Sequence, residues 1–60
     1  MYLLREVEKF LREYDIPPSK FGRLAINDPN FVFSLRRGTE SRESTEIKVR
    51  KFMEDYRRDN

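Results

Sequence analysis

Residues 30 to 37, NFVFSLRR, hold the side chains of this chain best suited to recognition chemistry. Projected as a helix at about 100° per residue, Asn30, Phe33, Ser34 and Arg37 stand at i, i+3, i+4 and i+7 and share one side. Val32 and Leu35 share the other, with Phe31 reaching it through its i, i+4 relation to Leu35. The amide and the hydroxyl both donate and accept, the guanidinium is a fork of donors, and the phenyl ring is an apolar face. Such a set suits hydrogen bonding to a polar or anionic partner. Phe33 is the odd residue, a large ring amid polar neighbours. Either it covers an edge of the core or it meets a partner.

Chemistry that makes or breaks bonds has little to work with. The 60 residues contain no Cys and no His, which removes thiolate chemistry, disulfides, the usual zinc ligands and the commonest general base. The acids Glu6, Glu8 and Glu13 read as a solvated helix face rather than a catalytic pair. A chain this short forms a single domain, 1–60, that can hardly enclose a dry cleft. No enzymatic activity, cofactor, metal or small-molecule ligand is expected. No apolar run approaches membrane-spanning length and no signal-peptide pattern opens the chain, so no membrane partner and a cytoplasmic address are expected. Charged residues make up 40 % of the sequence, with a net charge of +2. From Lys20 to Arg42 five basic residues face two acidic ones, a local net of +3 that fits a polyanion partner.

The elements that must position residues 30 to 37 are helical. Leu4, Val7, Leu11 and Tyr14, with Leu3 and Phe10 beside them, predict an amphipathic scaffold helix over 2–14, with Glu8 and Arg12 as an i, i+4 pair. Pro17 ends it and Pro18 suits the first position of a second helix over 18–26, with Phe21, Leu24 and Ala25 as its apolar set. Gly22 in its interior costs about 0.5–1 kcal/mol against alanine, which close approach of another helix would explain. Asn27 suits a left-handed turn, Asp28 a cap and Pro29 the first position of a third helix over 28–37. Gly38 can end that helix, with Arg36 and Arg37 near its negative end. Ser44 or Thr45 caps a fourth helix over 45–57 with a stripe of Val49, Phe52, Met53 and Tyr56. The RRDN tail is expected to fray. Tyr2, Tyr14 and Tyr56 read as core rim with wet hydroxyls. The fold class is therefore all-α, a compact four-helix domain with a central helix-turn-helix.

The stretch SKFGRLAINDPNFVFSLRRG, followed by TEIKVRKFM, resembles the lambda-repressor-like (Cro/XRE-type) helix-turn-helix family. It is similar to short bacterial or phage DNA-binding regulators with a pattern of the kind FGxxA-x-x-DPxxVxxLRxG. Phe21, Gly22, Ala25, Asp28, Pro29, Val32, Leu35, Arg36 and Gly38 carry the likeness, which covers about residues 16 to 53. Asn27 stands where the family usually has glycine, and the loop TESRES carries two acids where relatives are commonly more basic.

The resemblance implies a sequence-specific double-stranded DNA-binding protein, a transcriptional regulator associated with the nucleoid when bound. Its third helix would enter the major groove. On that footing Asn30 pairs with adenine, Phe33 touches thymine methyls, Ser34 bonds to several bases, and Arg37 meets guanine or a phosphate. Ser19, Lys20, Arg23, Arg36 and Arg42 would hold the DNA backbone. The alternative is a protein-interaction module, antitoxin-like or adaptor, that docks through Phe33. Relatives commonly pair on half-sites about 34 Å apart, so a homodimer is the candidate assembly. Ile47 lies off the fourth helix's stripe. It either packs beneath the Thr39–Glu43 loop or belongs to a dimer surface, with Met53 or Tyr56 as companions.

Overall fold

A computed structural model describes residues 3–59. Four helices follow in order: α1 (Leu3–Tyr14), α2 (Pro18–Ile26), α3 (Phe31–Arg36) and α4 (Glu43–Asp59). The architecture is all-α, with no strand among the described residues. Tyr2, the first residue of the expected α1 and an expected rim residue, lies outside them, as does Asn60 of the expected fraying tail.

α1 buries the expected stripe. Leu3, Val7, Phe10 and Leu11 are buried, with Leu4 and Tyr14 half-buried at the margin. Its end comes one step before the prolines. Asp15 takes a left-handed conformation (φ 56°), and the Ile16 N–H donates back to the Leu11 carbonyl at 3.0 Å. That is the Schellman closure, with Ile16 as the buried apolar residue just past the turn.

Phe10 is the hub of the interior. Its ring meets Tyr14 at 4.7 Å, Tyr56 at 5.3 Å and Phe21 at 5.5 Å between centroids, mostly tilted or edge-on, and Phe21 meets Phe52 at 5.5 Å. α1, α2 and α4 are thus joined through one aromatic cluster, geometry worth about 0.5–1.5 kcal/mol per pair beyond area burial. Tyr14 and Tyr56 are half-buried, as a core rim requires. Phe31, Val32 and Leu35 insert α3 into the remaining side, and Val49 and Met53 close the core from α4.

Three boundaries differ from the sequence expectation by two residues or more, and α3 also ends one residue early, at Arg36. α3 begins at Phe31, so neither Asp28 nor Pro29 is its cap or first residue. Asp28-Pro29-Asn30-Phe31 instead forms a β-turn. The Phe31 N–H donates to the Asp28 carbonyl at 3.2 Å, and Asn30 has the φ −94°, ψ 1° of the third position of a type I turn. The Asp28 carboxylate accepts the Asn30 N–H at 3.0 Å, two residues on, rather than one inside the helix. α4 begins at Glu43, not at a Ser44 or Thr45 cap; the Glu46 N–H donates to the Arg42 carbonyl at 2.9 Å, and Glu43 lies in the first turn, where an acid suits the helix dipole. At its other end α4 runs through Arg57, Arg58 and Asp59 instead of fraying. Arg57 reaches Glu13 at 3.4 Å and Arg58 reaches Glu54 at 3.5 Å, and both cations suit a helix C-terminus.

Side-chain placement brings further corrections. Leu24, expected inside, is 51 % exposed, because Phe21 and Gly22 form the buried face of α2 and Leu24 falls on its flank. Ile47 is 58 % exposed and does not pack beneath the loop. Met53 is buried and does not accompany Ile47 at the surface; Tyr56 is half-buried against the core.

Candidate nucleic-acid interface

The turn between α2 and α3 is set by two residues. Asn27 is left-handed (φ 58°, ψ 36°), a conformation asparagine tolerates better than other non-glycine residues. Its N–H donates to the Arg23 carbonyl at 2.9 Å, and the Asp28 N–H donates to the Gly22 carbonyl at 3.0 Å. A Cβ at Gly22 would overlap the Asp28 carbonyl oxygen and come within 3.3 Å of the Phe31 Cβ. Gly22 is therefore needed chiefly for close approach of the turn backbone, with the first residue of α3, the expected approaching helix, next to it. At the far end, Gly38 (φ 98°) closes α3: Gly38 N–H donates to Leu35 at 3.0 Å and Thr39 N–H to Ser34 at 3.1 Å, a full Schellman motif.

α2 and α3 pack on each other and bury their inner faces toward the common core. Their outer faces are left to solvent. On α2 these are Ser19, Lys20, Arg23 and Leu24, followed by the turn from Asn27 to Asn30. On α3 Phe33 is 39 % exposed, Ser34 is half-buried and Arg37 is exposed. Asn30 precedes α3 with no cap bond from its side chain, so its amide is open to a partner. Arg37 donates to the Ser34 hydroxyl at 3.3 Å, which joins two of the expected recognition residues. Among the described residues Lys20, Arg23, Arg37 and Arg42 enter no ion pair.

Arg36, expected at the DNA backbone, is held within the chain. It turns toward α1 and donates through Nε and Nη2 to both carboxylate oxygens of Glu8, at 2.7 and 3.0 Å. The same guanidinium lies 5.7 Å from the centre of the Phe33 ring. Those hydrogen bonds hold the Glu8 carboxyl below its ordinary value and raise Arg36. Arg36 thus spends its fork inside the molecule, because its position on α3 borders α1 rather than the outer face. Glu8, in turn, makes its ion pair across helices, while Arg12, its expected i, i+4 partner, acts on it through charge without an ion pair.

Glu8 belongs to a set that the solvated reading of α1 missed. Glu6 binds Arg50, Glu8 binds Arg36 and Glu13 binds Arg57, so three acids of α1 strap α3 and α4 to it. Arg50 also holds Glu46, and these two acids raise its pKa. The available signal was position: the three glutamates border the apolar stripe of α1 instead of opposing it.

Two open grooves flank the loop from Gly38 to Arg42. Leu3, Leu4 and Leu35 line one, and Glu46 in it is held by Arg50. In neither does a carboxylate hydrogen-bond a hydroxyl, the pairing that would activate a nucleophile. No described helix is long and apolar enough to cross a membrane. No protein-family model, curated protein or solved structure matches the chain.

Proposed function

We propose that this chain is a non-enzymatic, sequence-specific double-stranded DNA-binding protein, a transcriptional regulator working in the cytoplasm. One observation carries the reading. Two short helices joined by a tight turn present an outer face whose cations Lys20, Arg23 and Arg37 are unpaired, while the glutamates of α1 are spent on other arginines. A duplex is the partner that rewards unpaired cations beside an exposed amide, hydroxyl and ring. Asn30, Phe33, Ser34 and Arg37 meet base edges; Ser19, Lys20, Arg23 and Arg42 hold phosphates. Arg36 serves as a brace between α1 and Phe33.

The exposure of both Leu24 and Phe33 favours a second reading, a protein-docking module on the same fold. Salt titration of duplex binding separates the two. A DNA binder loses affinity steeply with added salt through counterion release, and a protein-docking face does not. Selection from a random duplex pool then tests sequence preference. A homodimer on two half-sites completes the proposal, with exposed Ile47 on its contact surface; sedimentation with a symmetric duplex checks it. A one-to-one complex on an asymmetric site removes the dimer.

A further inference from the structure

The outer face of α1 carries Arg5, Lys9 and Arg12 at i, i+4 and i+7, one stripe opposite the buried residues Val7 and Phe10. All three are exposed, and none enters an ion pair among the described residues. An isolated stripe of this kind would normally be balanced by neighbouring acids. Here Glu6, Glu8 and Glu13 are neutralised by Arg50, Arg36 and Arg57. Asp15, past the helix end, is the remaining unpaired acid of the segment. Arg50 is shared with Glu46, so α1 with these ion pairs carries a net charge of about +2, before Asp15, over roughly 10 Å of helix.

The stripe borders Glu8, whose partner Arg36 ends α3. Arg5 and Arg12 are the i−3 and i+4 neighbours of Glu8, so they flank it along α1. Glu8 grips Arg36, and Arg36 lies over Phe33. The Glu8–Arg36 pair thus links the α1 stripe to α3. Regular spacing and exposed cationic ends suit phosphates rather than base edges. We infer that Arg5, Lys9 and Arg12 form a second contact surface for the phosphate backbone of the same duplex, outside the base pairs that α3 reads. The inference rests on the DNA-binding reading.

The test compares Arg5→Ala/Lys9→Ala/Arg12→Ala with the wild type on one duplex of about 25 base pairs. A control, Lys48→Ala/Lys51→Ala/Arg58→Ala, removes equal charge from exposed positions of α4. Alanine at exposed helix positions preserves the fold, which circular dichroism checks. Three phosphate contacts contribute about 2.7 to the slope of log affinity against log salt. Between about 50 and 200 mM salt, the wild type should therefore lose roughly 40-fold more affinity than the α1 variant. The control should stay near the wild-type slope, and the preferred sequence should not change. Equal slopes for wild type and α1 variant overturn the inference and leave the DNA-binding reading standing. Equal falls in both variants also overturn it, since net charge alone then acts. Wild-type binding to phosphatidylserine vesicles that requires these three residues, with the duplex slope unmoved, overturns it in favour of a lipid surface. A wild type that binds no duplex removes the parent reading and the inference together.

Discussion

Gly22 lies directly against the backbone of Asp28: its carbonyl accepts the Asp28 N–H at 3.0 Å, and a Cβ on it would overlap the Asp28 carbonyl oxygen. This contact fixes how the turn leaves α2 and so where α3 starts. Gly22→Ala gains helix propensity worth about 0.5–1 kcal/mol, yet the obstacle is backbone and cannot swing aside. Overpacking of this kind costs about 1–3 kcal/mol, so the net change should be destabilising. Urea denaturation checks it; an alanine variant as stable as the wild type would mean that the turn can shift freely.

The next turn residue separates strain from contact. Asn27 is left-handed and exposed, so Asn27→Gly should leave stability unchanged or slightly raised. Asn27→Val forces a β-branched residue to positive φ and should cost about 1–3 kcal/mol. Thermal melts of the two variants should differ in that order, and coincident melts would remove the left-handed turn.

How much of this was legible in the sequence differs from one feature to the next. The apolar rhythm of α1, the prolines before α2 and the glycine after α3 act through local sterics, so those elements follow from the sequence alone. Asp28-Pro29 does not decide itself. The pair fits a helix cap and first residue as well as the first two positions of a type I turn, and the tertiary contact with Gly22 selects the turn. The Glu8–Arg36 pair spans 28 positions; the place of Glu8 beside the apolar stripe marks it as near a neighbouring helix, but nothing local names Arg36 as its partner. The outer residues of α3 were legible as a polar face with one ring, but only the packed structure separates Arg36, which is ion-paired to Glu8, from Arg37, which meets no carboxylate.

Glu8 makes that pair measurable. Its pKa is depressed, chiefly by the Arg36 hydrogen bond, so the ionised form stabilises the fold. That contribution is complete above the ordinary carboxylate value of 4.5 and is lost as pH falls through the lower folded-state value. Glu8→Gln should therefore be less stable than the wild type at neutral pH. The difference should shrink to nothing on acidification through the region below pH 4.5. Denaturation midpoints of both proteins across that range check it. A gap that stays constant with pH would show that the charge on Glu8 is immaterial.

Base reading and backbone holding predict different signatures on the two helices. Asn30 stands before α3 with its amide uncommitted, and Arg23 stands on α2 with no carboxylate partner. Asn30→Ala should weaken binding to the preferred duplex by about 1–3 kcal/mol and relax the preference at a single base pair. Arg23→Ala should weaken binding to every sequence alike and reduce the salt slope by about one unit. Arg36→Ala, with its guanidinium already held by Glu8, should change the slope less than Arg23→Ala does. Anisotropy titrations on the preferred duplex and a scrambled one, each at several salt concentrations, read all three. If Asn30→Ala lowers affinity equally for both duplexes, Asn30 is a backbone contact. If Arg36→Ala moves the slope as far as Arg23→Ala, the Glu8 pair opens on binding and Arg36 returns to the phosphate-holding set.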